Sequence, residues 1–145
     1  MGDISKDINS KFPDLKTKAL INILYTANWI TSFQNEFFKP FGISPQQFNI
    51  LKILNGANGP LKVQVIKERM IERSPNATRL MDKLCDKQLI ERIPCPDDRR
   101  VVHIIITDKG KELIKSISNN FNDELVKNIS QQEAQQLSDL LDKMR

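Results

Sequence analysis

The sequence of 145 residues predicts a mostly α-helical chain with one small β-hairpin set into it. Three observations predict this. Apolar residues recur at three- and four-residue steps along most of the chain, the spacing of one helix face. The stretches LIERI and VVHIIIT break that period, being short, β-branched and bounded by turn residues. Helix-start signals built on serine recur at Ser44, Ser74 and Ser130.

The first helix is expected from about Asp14 to Phe38. Leu20, Ile23, Leu24, Ala27, Ile30, Phe33 and Phe37 form its stripe, and Pro40 and Gly42 end it. Trp29, Phe33, Phe37 and Phe38 add aromatic bulk there, which at helical spacing reads first as core and second as a small-molecule pocket. Ser44 caps a second helix, with Pro45 at its first position and Gln47 completing a capping box. Phe48, Leu51 and Leu54 are its buried stripe, and Gly56, Gly59 and Pro60 force a loop. A short apolar stretch from Leu61 leads into VQVIKERM, about two helical turns with Val63, Ile66 and Met70 inward.

After a turn at Ile71 to Arg73, Ser74 and Pro75 repeat the starting device for SPNATRLMDKLCDKQ. Ala77, Leu80, Met81 and Leu84 face inward on this helix, while Asn76, Thr78, Arg79, Lys83 and Asp86 face outward. The two strands follow, joined by PCPDDRR. Val102, Ile104 and Ile106 are expected to alternate inward and His103 to point the other way. Thr107 caps a helix expected to run unbroken through KELIKSISNNFNDELVKNI. Ser130 and Glu133 open the last helix, with Ala134, Leu137, Leu140, Leu141 and Met144 apolar. A short helix, a tight turn, a second helix and a hairpin in this order make a winged helix-turn-helix. The expected division is one domain over 1–145. Helices at 14–42 and 108–145 would serve dimerisation, and the winged helix-turn-helix would occupy 44–107.

Composition narrows the function. The formal net charge is +4, and 12 Lys and Arg against 8 Asp and Glu between Lys62 and Lys111 account for all of it. A basic middle between neutral flanks points to an anionic partner for that middle. Two cysteines and one histidine cannot build a Cys/His zinc site within one chain, and no cofactor is expected. No phosphate loop, paired-carboxylate pattern or nucleophile–base spacing is present, so an enzyme is not expected. No apolar run is long enough to span a bilayer, and MGDISKDINSKF lacks the apolar core of a secretory signal, so the expected address is cytoplasmic.

The candidate DNA-binding residues sit on the second helix of the pair and on the hairpin loop. Ser74, Asn76 and Thr78 are small polar groups near a helix N-terminus, where free N–H groups favour phosphate. Arg79 can offer two donors to a guanine in the major groove, and Lys83 one turn on can meet a phosphate. Arg99 and Arg100 share a projecting loop tip with Asp98. An arginine gains there from the concentrated negative potential of an A·T-rich minor groove, and an adjacent aspartate can fix its direction.

The segment DDRRVVHIIITDKG resembles the wing signature of the MarR family: an Asp, one residue, an Arg, five residues, then an aliphatic residue and Thr. Here these are Asp98, Arg100, Ile106 and Thr107. Upstream, SPNATRLMDKLCDKQLIERIPCPDDRR resembles the recognition helix and first wing strand, and the element order matches from Leu15 to Met144. The resemblance implies a homodimer whose first and last two helices interlock. It also implies a wing placing Arg100 in the minor groove with Asp98 bracing it, and Arg79 with its neighbours in the major groove. A small effector, with phenolic compounds the class to screen first, would bind between the dimerisation helices and the DNA-binding lobe. One departure stands out. The family commonly ends its recognition helix with Gly, and Gln88 holds that position here, so an altered helix end is expected.

Dimerisation is also expected from the apolar stripes alone, since the first and last two helices carry more than a small wing domain covers. The expected function is therefore a sequence-specific regulator of transcription, by default a ligand-responsive repressor on a pseudo-palindromic operator in duplex DNA. Two alternatives keep the fold. One is a thiol-based redox regulator using Cys95 in the wing or Cys85 in the recognition helix. The other is a winged helix used for protein contacts, which the exposed cations expected on the wing and helix argue against.

Overall fold

A computed structural model describes residues 2–73, 75–117 and 119–145. The chain divides into two compact units, one ending at Ile114 and a smaller one, Lys115–Arg145. The larger opens with a short helix the sequence reading did not anticipate, α1 (Ile4–Asp7), capped by the Asp3 carboxylate and burying Ile4. Helix α2 (Leu15–Phe38) follows, its first turn held by Asp14, which accepts the Thr17 N–H at 2.9 Å. A 3-10 turn, Lys39–Phe41, closes it, and Gly42 takes the left-handed φ of 69° that a side chain would resist.

Helix α3 (Pro45–Gly56) starts as expected. The Gln47 N–H donates to Ser44 Oγ at 3.1 Å, and Gln47 Oε1 accepts the Ser44 N–H at 2.9 Å. Next come a two-residue strand, β1 (Leu61–Lys62), and helix α4 (Val63–Arg69). Helix α5 (Ala77–Asp86) leads to strands β2 (Ile90–Pro94) and β3 (Val102–Ile106). The sheet is antiparallel in the order β1-β3-β2, with Leu61 opposite Ile104 and Arg92 opposite Ile104 on the other side. The expected hairpin is thus a three-stranded sheet. Two residues beside Pro60 are too few to show a strand period.

The core sits where α3, α4, α5 and the sheet meet. Ile50, Leu51, Ile66, Met81, Leu84, Ile90 and Ile104 are buried there, each worth about 1.5–3 kcal/mol relative to an exposed side chain. Phe38 joins this core, its ring 4.6 Å from that of Phe48, whereas Trp29 is half exposed. Ile104 and Ile106 face inward as expected, but Val102 is 39% exposed. It lies opposite Pro94 at the outer end of the hairpin.

Helix α6 (Asp108–Ser116) is capped by Thr107, whose Oγ1 accepts the Gly110 N–H at 3.1 Å. The expected unbroken helix does not form. Among the described residues the helix stops after Ser116, and a four-residue α7 (Asp123–Val126) precedes α8 (Gln131–Lys143). Asn119, Asn120 and Asn122 follow closely, and asparagine side chains compete for the backbone groups a helix needs. Helix α8 opens on the expected capping box of Ser130 and Glu133. Its Leu137, Leu140 and Met144 stay exposed, Leu140 at 62%. Leu20, Leu24 and Trp29 on α2 are about half exposed as well. No helix among the described residues is long and apolar enough to cross a membrane.

Candidate nucleic-acid interface

Helix α5 separates its two faces sharply. Ala77, Met81 and Leu84 are buried, and Asn76, Thr78, Arg79 and Lys83 are exposed. Ser74 lies outside the described residues. The helix begins at Ala77, two residues later than the Ser-Pro pair suggests. Asn76 precedes it with φ −92° and ψ 11°, outside the helical region. Pro75 and Asn76 form a turn instead, a use for which this pair is as well suited as for a helix start.

Beyond its buried face, α5 is tied to its neighbours by polar contacts. The buried amide of Gln47 donates to the Leu80 carbonyl at 3.4 Å, linking α5 to the start of α3. On the other side Arg92 of β2 forms an ion pair with Asp82. The Asp82 hydrogen bond raises the Arg92 guanidinium above its usual pKa, with burial opposing.

The C-terminus of α5 is where the sequence departs from the family pattern, and its geometry is nonetheless regular. Gln88 adopts the left-handed φ of 59°. The Gln88 N–H donates to the Cys85 carbonyl at 2.8 Å and the Leu89 N–H to the Leu84 carbonyl at 3.0 Å. These two bonds make a Schellman end, so the altered helix end expected from Gln88 is absent. The start of α6 holds this turn. Thr107 Oγ1 donates to the Gln88 carbonyl at 2.7 Å, and the Thr107 N–H donates to the Leu89 carbonyl at 3.1 Å. Gly110 completes the junction, since a Cβ there would run into the Leu89 carbonyl oxygen and lie 2.7 Å from Ile106 Cγ1.

The wing loop is held by its own backbone. The Cys95 N–H donates to the Val101 carbonyl and the Val101 N–H to the Asp98 carbonyl, both at 3.1 Å. The Asp98 carboxylate accepts the backbone N–H of Arg100 at 2.9 Å. Asp98 thereby shapes the turn that presents Arg100 and acts on its main chain. Asp98, Arg99 and Arg100 are all exposed. Among the described residues, Arg79, Lys83, Arg99 and Arg100 form no ion pair, in contrast to Arg92.

Sequence reasoning missed Arg92 as an anchor; its spacing of ten residues from Asp82 is a signal only once the strand following α5 is recognised. Cys85 and Cys95 are free and half-buried. Burial, followed by the nearby carboxylates Asp82, Asp86 and Glu91, pushes the Cys85 thiol up, against the pull of Arg92. Among the described residues, no three His, Cys, Asp or Glu side chains gather to hold a metal ion.

Comparison with known proteins agrees with this geometry. Residues 43–102 match the model of the MarR family. The HTH-type transcriptional regulator MhqR of Bacillus subtilis is 30% identical over 115 residues, covering 77% of this chain and 79% of that one. A putative MarR-like transcription regulator from Bacillus cereus superposes with a TM-score of 0.78 at 22% identity, over 88% of this chain and 93% of that chain. A mutant MarR from E. coli complexed with operator DNA superposes with a TM-score of 0.76 at 24% identity, over 99% of both chains. At those identities the two structures speak for the fold, and the relationship to MhqR carries the assignment. The chain belongs to the MarR family of transcriptional regulators.

Proposed function

We propose that this regulator binds duplex DNA sequence-specifically, as a homodimer on a pseudo-palindromic operator, and acts as a ligand-responsive repressor in the cytoplasm. The observation that carries the reading is the set of unpaired cations on α5 and the wing tip, within one compact unit. Exposed like charges repel, and a polyanion is the partner that turns them to use. In this reading Asn76, Thr78 and Arg79 face the major groove, Lys83 meets a phosphate and Arg100 enters the minor groove, with Arg99 beside it. The lobe at 44–107 reads DNA, and the helices at 14–42 and 108–145 serve the dimer.

The exposed stripes of α2 and α8 support the dimer, because Leu20, Leu24, Leu137, Leu140 and Met144 are too many large apolar side chains to leave in water. Two reading heads would then meet half-sites about 34–36 Å apart, one turn of duplex. The effector's place is a mostly apolar cavity of about 330 Å³ between α2, α3 and the turn before α5. Ile30, Met70 and Ile71 line it. Asn49 Oδ1 accepts the Ile71 N–H at 3.0 Å, and Gln46 donates to Glu72 at 2.7 Å. A planar phenolic ligand there would press on the turn that positions the recognition helix. Redox control through Cys85 is the weaker reading, since a raised pKa leaves less reactive thiolate.

Selection of bound duplexes from genomic fragments, followed by a screen of phenolic compounds for release, tests this reading. Enrichment of a common inverted repeat supports it, and indifference to every duplex at low salt would refute it.

A further inference from the structure

Beside α5, on the face that carries Lys83, lies an open concavity of about 480 Å³ that the sequence did not reveal. Three lysines from two parts of the chain meet on it: Lys39 from the turn that ends α2, and Lys83 and Lys87 from α5 and its cap. The one carboxylate on its wall, Glu36, lies 3.9 Å from Lys39 Nζ, with both side chains more than three-quarters exposed. The Lys87 ammonium donates to the Gly42 carbonyl, a neutral group that orients the charge without cancelling it. The concavity therefore carries an excess of two positive charges over a few residues. Lysines free to spread over a surface do not gain by this crowding unless an anion lies between them.

The position of the patch identifies the anion. Asn76, Arg79, Lys83 and Lys87 follow one another at helical spacing along the outward side of α5. The concavity is thus the far end of the same stripe that would face the groove. A helix lying in a major groove is flanked by the sugar–phosphate backbone, and lysine, a compact point charge with three rotatable donors, suits a phosphate better than a base edge. We propose that Lys39 and Lys87, together with Lys83, hold a backbone phosphate of the bound duplex. The site adds affinity and register without reading sequence. This rests on the DNA-binding reading above.

The test is the dependence of affinity on salt, measured on a selected operator and on a scrambled duplex of equal length. A lost phosphate contact lowers the slope of log K against log salt by about 0.9, and a two-headed dimer loses two. Lys39→Gln is expected to flatten the slope, by at most about 1.8 for the dimer since Lys83 and Lys87 remain, and to weaken both duplexes by the same factor. Glu36→Gln, which frees Lys39 from the carboxylate it pairs with, is expected to tighten both. Lys143→Gln, the same charge change in the smaller unit, should leave the slope alone. Lys87→Gln is the secondary variant, since it also releases the Gly42 turn. An unchanged slope in Lys39→Gln while Arg79→Ala still weakens binding would overturn the phosphate site and leave the DNA-binding reading standing. If the wild type binds neither duplex at low salt, the broader reading falls first. A Lys39→Gln effect confined to the operator would make Lys39 a base reader and overturn the proposal as well.

Discussion

Arg92 on β2 and Asp82 on α5 form an ion pair that ties the wing to the helix beside it. Both side chains are about half exposed, so the pair contributes on the order of 0–1 kcal/mol to stability. Any consequence lies in orientation, because the pair links the first wing strand to the helix that precedes it. Asp82→Asn is expected to shift the melting temperature little and to reduce discrimination between operator and scrambled DNA. The charge swap, Asp82→Arg with Arg92→Asp, should recover part of the loss. Discrimination unchanged in the single variant would show that the pair has no part in the interface.

Gln88 and Gly110 make opposite predictions at one junction. A non-glycine residue in the left-handed region costs about 1–2 kcal/mol, so Gln88→Gly should raise stability by about 1 kcal/mol in denaturant unfolding. Gly110→Ala places a Cβ against the Leu89 carbonyl and Ile106 and should destabilise by more than Gln88→Gly stabilises. A neutral Gly110→Ala would mean that α6 can move off the turn enough to admit a methyl group.

The apolar face of α8 predicts an oligomer. Replacing Leu137 and Leu140 together by Glu should convert the protein to monomer in sedimentation and abolish operator binding. Wild type sedimenting as a monomer at micromolar concentration would contradict the homodimer.

Acid should unwind helix ends selectively. Backbone hydrogen bonds from Thr17 and Ser130 hold the Asp14 and Glu133 carboxyls below their usual pKa. A depressed folded-state pKa gives stability that is present above the ordinary carboxylate range and lost as pH falls through the lowered value. Helical circular dichroism should therefore decline on the acid side of that range. The double variant Asp14→Asn, Glu133→Gln, which keeps the cap geometry without the titrating charge, should lose less. Identical acid limbs in the two proteins would rule out the caps as the cause.

The boundaries that were legible in the sequence are those with a local chemical cause. Ser44 with Gln47, Ser130 with Glu133, and Thr107 each specify a helix start through side chains within three residues, and each forms as expected. The features that were not legible depend on tertiary partners or compete with an equal alternative. Strand β1 is two residues long and exists only because β3 lies beside it. The break after Ser116 falls inside a run of helical spacing that Leu113, Ile114, Ile117 and Phe121 carry through it. Gln88 looked unsuited to its turn, yet the Thr107 hydroxyl and the close approach at Gly110 hold it there. In the candidate interface, the exposed cations could be picked out from charge and spacing. The concavity joining Lys39 to Lys87 could not, because 48 positions separate the two in sequence.

The most direct measurement of the central claim is the affinity of wild type, Arg79→Ala and Arg100→Ala for a selected operator and for base-substituted versions of it. Arg79→Ala is expected to cost about 1–3 kcal/mol and to relax preference at one base position in each half-site. Arg100→Ala should weaken binding most where the flanks are rich in A·T pairs. Equal affinities for all three proteins across the series would contradict the account.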